Sequence, residues 1–349
     1  ATRQRNREWW NALNPAWKQT LLNEFSIIYN NPPDAAIAEM LKLKRLRLVK
    51  IAMPNGDILD FDNLKPLAML PDLEEITLNG TNISDLSPLA GRTNIRHFEA
   101  RETNITDLSP LSACAKMSYI DVLSAPIEKS DALAGMKKLR HINIAGTKIS
   151  SLAGIPTEIL NFLNINGTNI SDLAPLATAK GLITLEASHT KVRSLQPLRD
   201  AAYLESVNLR NSEVSDIKVL SGKERLLKLI LTESKVIDLS PLSSCKELQV
   251  LRFNKTKVTS LQPLANSKNL LELEFSDTPI TDLRPISYLK NLQKLIFIPN
   301  KLESLAPLMM LEGLQKLVIC KEHYTRDEVR ALKQALLQVD VTAIDCSQL

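Results

Sequence analysis

The sequence predicts an α/β repeat solenoid. The expected form is a curved horseshoe with a parallel β-sheet on its concave face, short 3₁₀-like turns on its convex side and a helical cap at each end. Three observations lead there. From Leu73 onward the chain repeats LxxLxLxxTxIxDLxPL with a period of 22 residues. Aliphatic residues, not rings, fill the recurring positions: the 349-residue chain is 44% hydrophobic but only 4% aromatic. A layered core explains that shortage, because each repeat adds one thin aliphatic layer that only stacking can bury. In most repeats, Asp or Ser is followed three residues later by Pro.

The helical cap comes first, over residues 1–42. Asn14-Pro15 is a helix start, a capping side chain followed by Pro at the first helical position. Trp17, Leu21, Leu22 and Phe25 then recur at helical spacing, and Asn31-Pro32-Pro33-Asp34 interrupts the chain before Ala35–Leu41 resumes. Trp9, Trp10 and Trp17 all lie here, where a solenoid needs its first layer covered.

Residues 43–322 carry about 13 repeats, starting at 43, 73, 95, 117, 139, 160, 182, 204, 226, 248, 270, 292 and 314. The long first step holds an insertion near Met53–Asp60. The fourth and sixth positions are apolar throughout, and alternation with period two reads as a short strand with one face inward. At the eleventh position Ile or Val turns the chain back into the core. Asp85, Asp107, Asp172, Asp216, Asp238 and Asp282, with serines in other repeats, are placed to cap a helical turn, and Pro is tolerated inside that turn. Thr at the ninth position is expected to bond backbone groups of the neighbouring repeat. The last segment, 323–349, reads as a cap helix from Arg326 to Gln338, begun by Thr325, and a tail whose residues Val341–Ile344 add an edge strand.

The motif over Leu73–Asn94 and Ile95–Lys116 resembles the leucine-rich repeat superfamily. The type is the 22-residue repeat shared by bacterial internalins and leucine-rich regulators of protein phosphatases. The resemblance implies a non-catalytic binding protein. Two features depart from internalins. Thr stands where their ladder usually has Asn, and the residues after the repeats leave no room for an immunoglobulin-like module. The segment WWNALNPAWKQTLLNEF, from Trp9 to Phe25, also resembles N-terminal segments of some Bacteroidetes-type leucine-rich repeat proteins.

Composition narrows the function classes. A net charge of +4 with both signs interspersed gives no reason to expect nucleic acid. No apolar run approaches the ~18 residues of a membrane span. The chain begins at Ala1 and reads as a processed or trimmed form, so a removed signal peptide would leave no trace. No nucleophile–base pair, phosphate loop, dinucleotide fingerprint or metal-ligand spacing occurs, so no catalytic residue, metal or cofactor is expected. Six Asn-x-Ser/Thr sequons, at Asn79, Asn82, Asn104, Asn166, Asn169 and Asn254, are by-products of the repeat. Cys114 and Cys245 share one repeat position, six repeats apart, about 29 Å at ~4.8 Å per strand, too far to bridge. Cys320 and Cys346 both lie near the C-terminal cap and could approach. Four thiols are expected, which favours a cytoplasmic, reducing compartment over secretion.

The third, fifth and seventh repeat positions point out of the sheet, where packing does not dictate identity. At the third position His97, Tyr119, His141 and Phe162 form a stripe of rings across adjacent strands. Beside them lie Glu99, Asp121, Asn143 and Asn164, then Arg101 and Asn166. Rings flanked by polar groups are what a binding hot spot is made of, although cross-strand packing alone would also favour them. A second patch, Ile296, Ile298, Val318 and Cys320 beside Lys294 and Lys316, is expected to lie under the C-terminal cap. The resulting expectation is a monomeric scaffold that binds a protein or peptide on its concave face. The alternatives are a secreted bacterial adhesin or glycan binder, and a regulatory subunit of an enzyme such as a phosphatase.

Overall fold

A computed structural model describes residues 2–347. The chain folds as two compact units, Ala1–Asn164 and Ile165–Leu349.

The first unit opens with helices α1 (Thr2–Ala12), α2 (Pro15–Glu24) and α3 (Asp34–Met40). The start of α2 is the predicted one: the Asn14 side chain accepts the Trp17 N–H at 2.9 Å, and Pro15 occupies the first turn. Asp34, which opens α3, pairs with Arg3 and Arg7 of α1 and ties the two helices together. Trp10 and Trp17 are buried, and the Trp9 and Trp17 indoles each donate 3.1 Å hydrogen bonds, to Pro66 O and Asn63 O. The cap therefore holds the first layer by apolar cover and by directed bonds to its backbone.

Strand β1 (Arg45–Arg47) follows. The insertion then forms an antiparallel hairpin, β2 (Ile51–Ala52) with β3 (Ile58–Leu59). Beyond it β1 pairs in parallel with β4 (Glu75–Thr77), and the sheet continues through β5 (His97–Glu99), β6 (Tyr119–Asp121), β7 (His141–Asn143) and β8 (Phe162–Asn164). Every register pair joins equal repeat positions, so the buried fourth-position residues Leu46, Ile76, Phe98, Ile120, Ile142 and Leu163 form one continuous row.

In the second unit β9 (Thr184–Glu186), β10 (Ser206–Asn208), β11 (Lys228–Ile230), β12 (Val250–Arg252), β13 (Glu272–Glu274), β14 (Lys294–Ile296) and β15 (Lys316–Cys320) pair in parallel in chain order. Phe253, Phe275 and Phe297 stack in successive layers with ring centroids 5.9 and 5.8 Å apart. Helix α4 (Arg326–Ala335) starts with the capping box Thr325/Glu328 and ends before the expected Gln338. It leaves the chain free to return as β16 (Asp340–Ile344), which extends the sheet beside β15.

On the turn side, aspartates cap 3₁₀ turns as the spacing predicts. The Asp85, Asp107, Asp172, Asp216 and Asp238 carboxylates each accept, at 2.8 Å, the N–H two residues ahead, and Asp282 does so at 2.9 Å. The ninth-position threonines differ from expectation. Thr81, Thr103, Thr147, Thr168, Thr190, Thr256 and Thr278 donate to the carbonyl three residues back in their own repeat, not to a neighbour. The reason lies one position earlier. There the backbone turns with positive φ, at Gly80, Glu102, Ser124, Gly146, Gly167, His189, Asn211, Glu233, Lys255 and Asp277, and this tight bend folds the hydroxyl back on its own strand end.

Two further expectations are corrected. Cys320 and Cys346 form a disulfide across Cα atoms 5.4 Å apart, because the pairing of β15 with the C-terminal tail brings them into range. The expectation of four thiols fails, and with it the ground for favouring a reducing compartment. The second apolar patch is covered only in part: Cys320 is buried and bonded to Cys346 of the tail, while Ile296 and Val318 stay half-buried. Helix α4 packs on the 3₁₀ turn Ala306–Met310, on the other side of the repeat, and a groove of about 580 Å³ along Val250, Ile296 and Val318 stays open on the strand face.

Candidate functional site

The register places His97, Tyr119, His141 and Phe162 side by side on β5 to β8. Their rings form one stack. Consecutive centroids are 4.1 Å apart, with interplanar angles of 6°, 12° and 0°. That spacing is tighter than the ~4.8 Å between strands, so the side chains converge away from the backbone. All four are half-buried. Each inner ring has its faces covered by its neighbours, and the edges carry the exposure.

Beside the stack runs a polar network. His97 Nε2 lies 2.8 Å from Glu99 Oε1, and Asn79 Nδ2 donates to Glu99 Oε2 at 2.8 Å. Arg101 Nε donates to Asp121 Oδ2 at 2.8 Å, and its NH2 reaches the Tyr119 hydroxyl at 3.4 Å. Asn143 Nδ2 donates to the same Asp121 oxygen at 3.0 Å, while the Leu123 N–H donates to Asp121 Oδ1 at 3.1 Å. Asp121 is thus 1% exposed yet fully engaged, the condition under which a buried carboxylate is tolerated.

The electrostatics follow from these contacts. Burial alone would raise the Glu99 carboxyl, but bonds from Asn79 and His97 and the Arg101 charge outweigh it and hold the group below the usual range. For Arg101 burial acts downward, and the Asp121 charge, the Tyr119 hydroxyl and the Glu99 charge together outweigh it, so its pKa is raised. Burial pushes the Tyr119 phenol up. The His141 pKa is lowered, mainly by burial, with Arg101 and His97 acting the same way and Asp121 and Glu99 opposing.

His141 gives a pH prediction. An unfolded histidine titrates near ~6.5. Because the folded His141 refuses the proton until lower pH, the unfolded chain binds more protons in the window below ~6.5, and stability falls there as pH drops. Denaturation curves between pH 7.5 and 5 should show this decline, and His141→Phe, which keeps the ring, should make it shallower. Equal slopes in both proteins would exclude His141 as the source.

Nine of the ten expected site residues belong to the first unit. His97, Glu99, Arg101, Tyr119, Asp121, His141, Asn143 and Phe162 share the stack and its network, and Asn164 is the register partner of Asn143 on β8. Asn166 belongs to the second unit, where it accepts the Ser188 N–H at 2.7 Å. Sequence reading missed Asn79, seen only as a sequon. Its side chain accepts the Arg101 N–H at 2.8 Å while donating to Glu99, so it locks both. Its seventh position, one repeat before Arg101, is the signal that could have found it.

Among the described residues Cys320, Glu322 and Cys346 are the only group with metal-ligand spacing, and their two sulfurs are bonded to each other. The free thiols Cys114 and Cys245 are buried. Burial pushes Cys114 up to about 11 and raises Cys245 as well, so neither offers a thiolate at neutral pH. No helix among the described residues is long and apolar enough to cross a membrane.

No family model matches the chain, and no curated protein matches it. Solved structures do. An internalin, inlF, from Listeria monocytogenes is 21% identical, with a TM-score of 0.74, over 86% of this chain and 94% of that one. The leucine-rich repeat ectodomain of the plant membrane receptor kinase GASSHO1/SCHENGEN3 from Arabidopsis thaliana was determined in complex with Casparian strip integrity factor 2. It is 18% identical, with a TM-score of 0.65, over 82% of this chain and 37% of that one. The functional domain of InlJ from Listeria monocytogenes is 16% identical, with a TM-score of 0.60, over 79% of this chain and 64% of that one. Identities this low establish the fold alone, a leucine-rich repeat solenoid.

Proposed function

We propose that this leucine-rich repeat protein is a non-catalytic scaffold that holds a protein or peptide partner against the ring stack of its first unit. The observation that carries the reading is the stack itself, four half-buried rings in contact on a strand face. Half-buried rings set beside a satisfied polar network give an apolar strip with a fixed border, and such strips concentrate binding energy. Preorganisation adds to it, since Arg101, Asp121 and Asn143 are already held and lose little freedom when a partner arrives.

The stack also favours a polypeptide over a glycan. A sugar ring packs best on an open aromatic face, and here the inner faces are covered by other rings. Exposed ring edges carry the positive end of the aromatic quadrupole and suit backbone carbonyls and apolar side chains. The solved plant ectodomain in complex with Casparian strip integrity factor 2 is an instance of this fold engaging a separate factor.

The test is photo-crosslinking. A photoreactive phenylalanine analogue in place of Tyr119 should capture a partner polypeptide from the native source. The same analogue in place of Ser206, at the equivalent strand position of the second unit, should not. Equal capture from both positions, or capture of carbohydrate alone from position 119, would remove the assignment.

A further inference from the structure

The turn side of the second unit holds a cleft of about 580 Å³ whose lining includes Arg199, Lys218, Lys223 and Arg225. Its construction can be separated from its charge, because the first unit contains a second copy of the same architecture. In both, the 3₁₀ turn ends in an extended residue followed by a left-handed glycine: Ala90 (φ −57°, ψ 136°) then Gly91 (φ 77°), and Ser221 (φ −57°, ψ 131°) then Gly222 (φ 75°). This is a type II turn, and the glycine is what makes it. In both, the next residue is a cation turned inward onto the carbonyls of the preceding repeat. Arg92 donates to Leu67 O and Leu70 O. Lys223 donates to Leu198 O, Arg199 O and Ala201 O, the last three at 2.9, 2.7 and 3.0 Å. With three acceptors on three N–H groups, the Lys223 ammonium is fully used as a donor.

The two clefts differ at their rims. Where the second unit has Arg199, Lys218 and Arg225, the equivalent residues of the first are Ala68, Ser87 and Asn94. The turn and the inward cation therefore form without a basic rim. Arg199, Lys218 and Arg225 are exposed, and among the described residues none of their side chains makes an ion pair. Arg225 is nonetheless positioned, with its guanidinium 4.8 Å from the centre of the Tyr203 ring. Glu224 also lines the cleft, and the Asp200 charge reaches Lys223, so the rim is basic in excess rather than uniformly.

We propose that this cleft is a binding site for an anionic tetrahedral group, a sulfate or phosphate ester, held by Arg199, Lys218 and Arg225. Arginine supplies planar, paired donors to such oxygens, and lysine supplies a point charge. The fixed Lys223 charge beneath adds to the field without competing for the same bonds. The site lies on the turn side and is independent of the ring stack.

The internal duplicate also supplies the control variant. Arg199→Ala, Lys218→Ser and Arg225→Asn together install residues with which this architecture already folds. Isotope-labelled full chain is titrated with a heparin-derived hexasaccharide, which carries sulfate esters, and separately with inositol hexakisphosphate, which carries phosphate esters. Binding of either, seen as amide shifts at Ser221 and Gly222 but not at Ala90 and Gly91, supports the site, and the binding arm names the ester. Affinity should drop by about tenfold or more in the triple variant, as expected when charge-assisted bonds are lost, and should weaken with added salt. The proposal is overturned if neither probe binds, if both clefts shift equally, or if the triple variant binds like the parent.

Discussion

Replacing Trp17 with Ala is expected to lower the unfolding free energy of the full chain by ~3–5 kcal/mol, the range for removing a large buried aromatic. Trp17 has 0% exposure. Its ring meets Phe61 edge to face, with centroids 5.6 Å apart at 89°, and its indole N–H holds Asn63 O at 3.1 Å. Deleting it opens a cavity under α2 and orphans a carbonyl at the end of the repeat stack. Neighbouring layers cannot close that cavity, because an end layer has a neighbour on one side only. Trp17→Phe separates the two contributions, since it keeps most of the apolar cover and loses the hydrogen bond, worth about 1 kcal/mol. Urea denaturation followed by near-ultraviolet circular dichroism would show the loss. If Trp17→Ala unfolded within ~0.5 kcal/mol of the parent, the N-terminal helices would not be stabilising the repeats, since changes of that size are typical of surface sites.

The repeats were legible because a fixed period turns each position into many observations of the same environment. An apolar fourth position from Leu46 to Leu317 and the aspartate turns need no structure to interpret. The ring stripe was legible for the same reason, since equal positions in parallel strands must become neighbours. What failed was anything set by a dihedral angle or a chance meeting. The left-handed eighth position is hidden because Glu102, His189, Glu233 and Lys255 occupy it in place of the expected glycine. Missing that bend led to the wrong partner for the ninth-position threonines. The Cys320–Cys346 bond depends on how the tail returns after α4, and periodicity says nothing about a segment that occurs once. The turn that builds the cleft was readable in principle, since Leu-Ala-Gly-Arg at Leu89–Arg92 and Leu-Ser-Gly-Lys at Leu220–Lys223 fall at the same repeat position. A comparison of repeats for shared departures from the consensus, rather than for the consensus itself, would have isolated it.

Tyr119→Ala and Phe162→Ala are each expected to weaken partner binding by ~2 kcal/mol, roughly thirtyfold, the size of a hot-spot truncation. The two losses should not add. Both rings lean on His141, at 4.1 Å on either side, so removing one loosens the surface the other presents. A double variant short of the summed loss is therefore the signature of a stack acting as one unit. Stability must be kept apart from contact. Each truncation also removes a ring–ring pair, worth ~0.5–1.5 kcal/mol to the fold, so binding is to be measured well below the melting temperature of the weakest variant. Tyr119→Phe gives the complementary test. It preserves the stack and removes only the hydroxyl, whose one side-chain hydrogen bond among the described residues is the 3.4 Å approach of Arg101. If the partner reads ring surface, that variant binds like the parent. If it reads the hydroxyl, Tyr119→Phe falls as far as Tyr119→Ala. Unchanged affinity in the double Ala variant, for a partner captured at position 119, would mean that the rings serve the sheet alone.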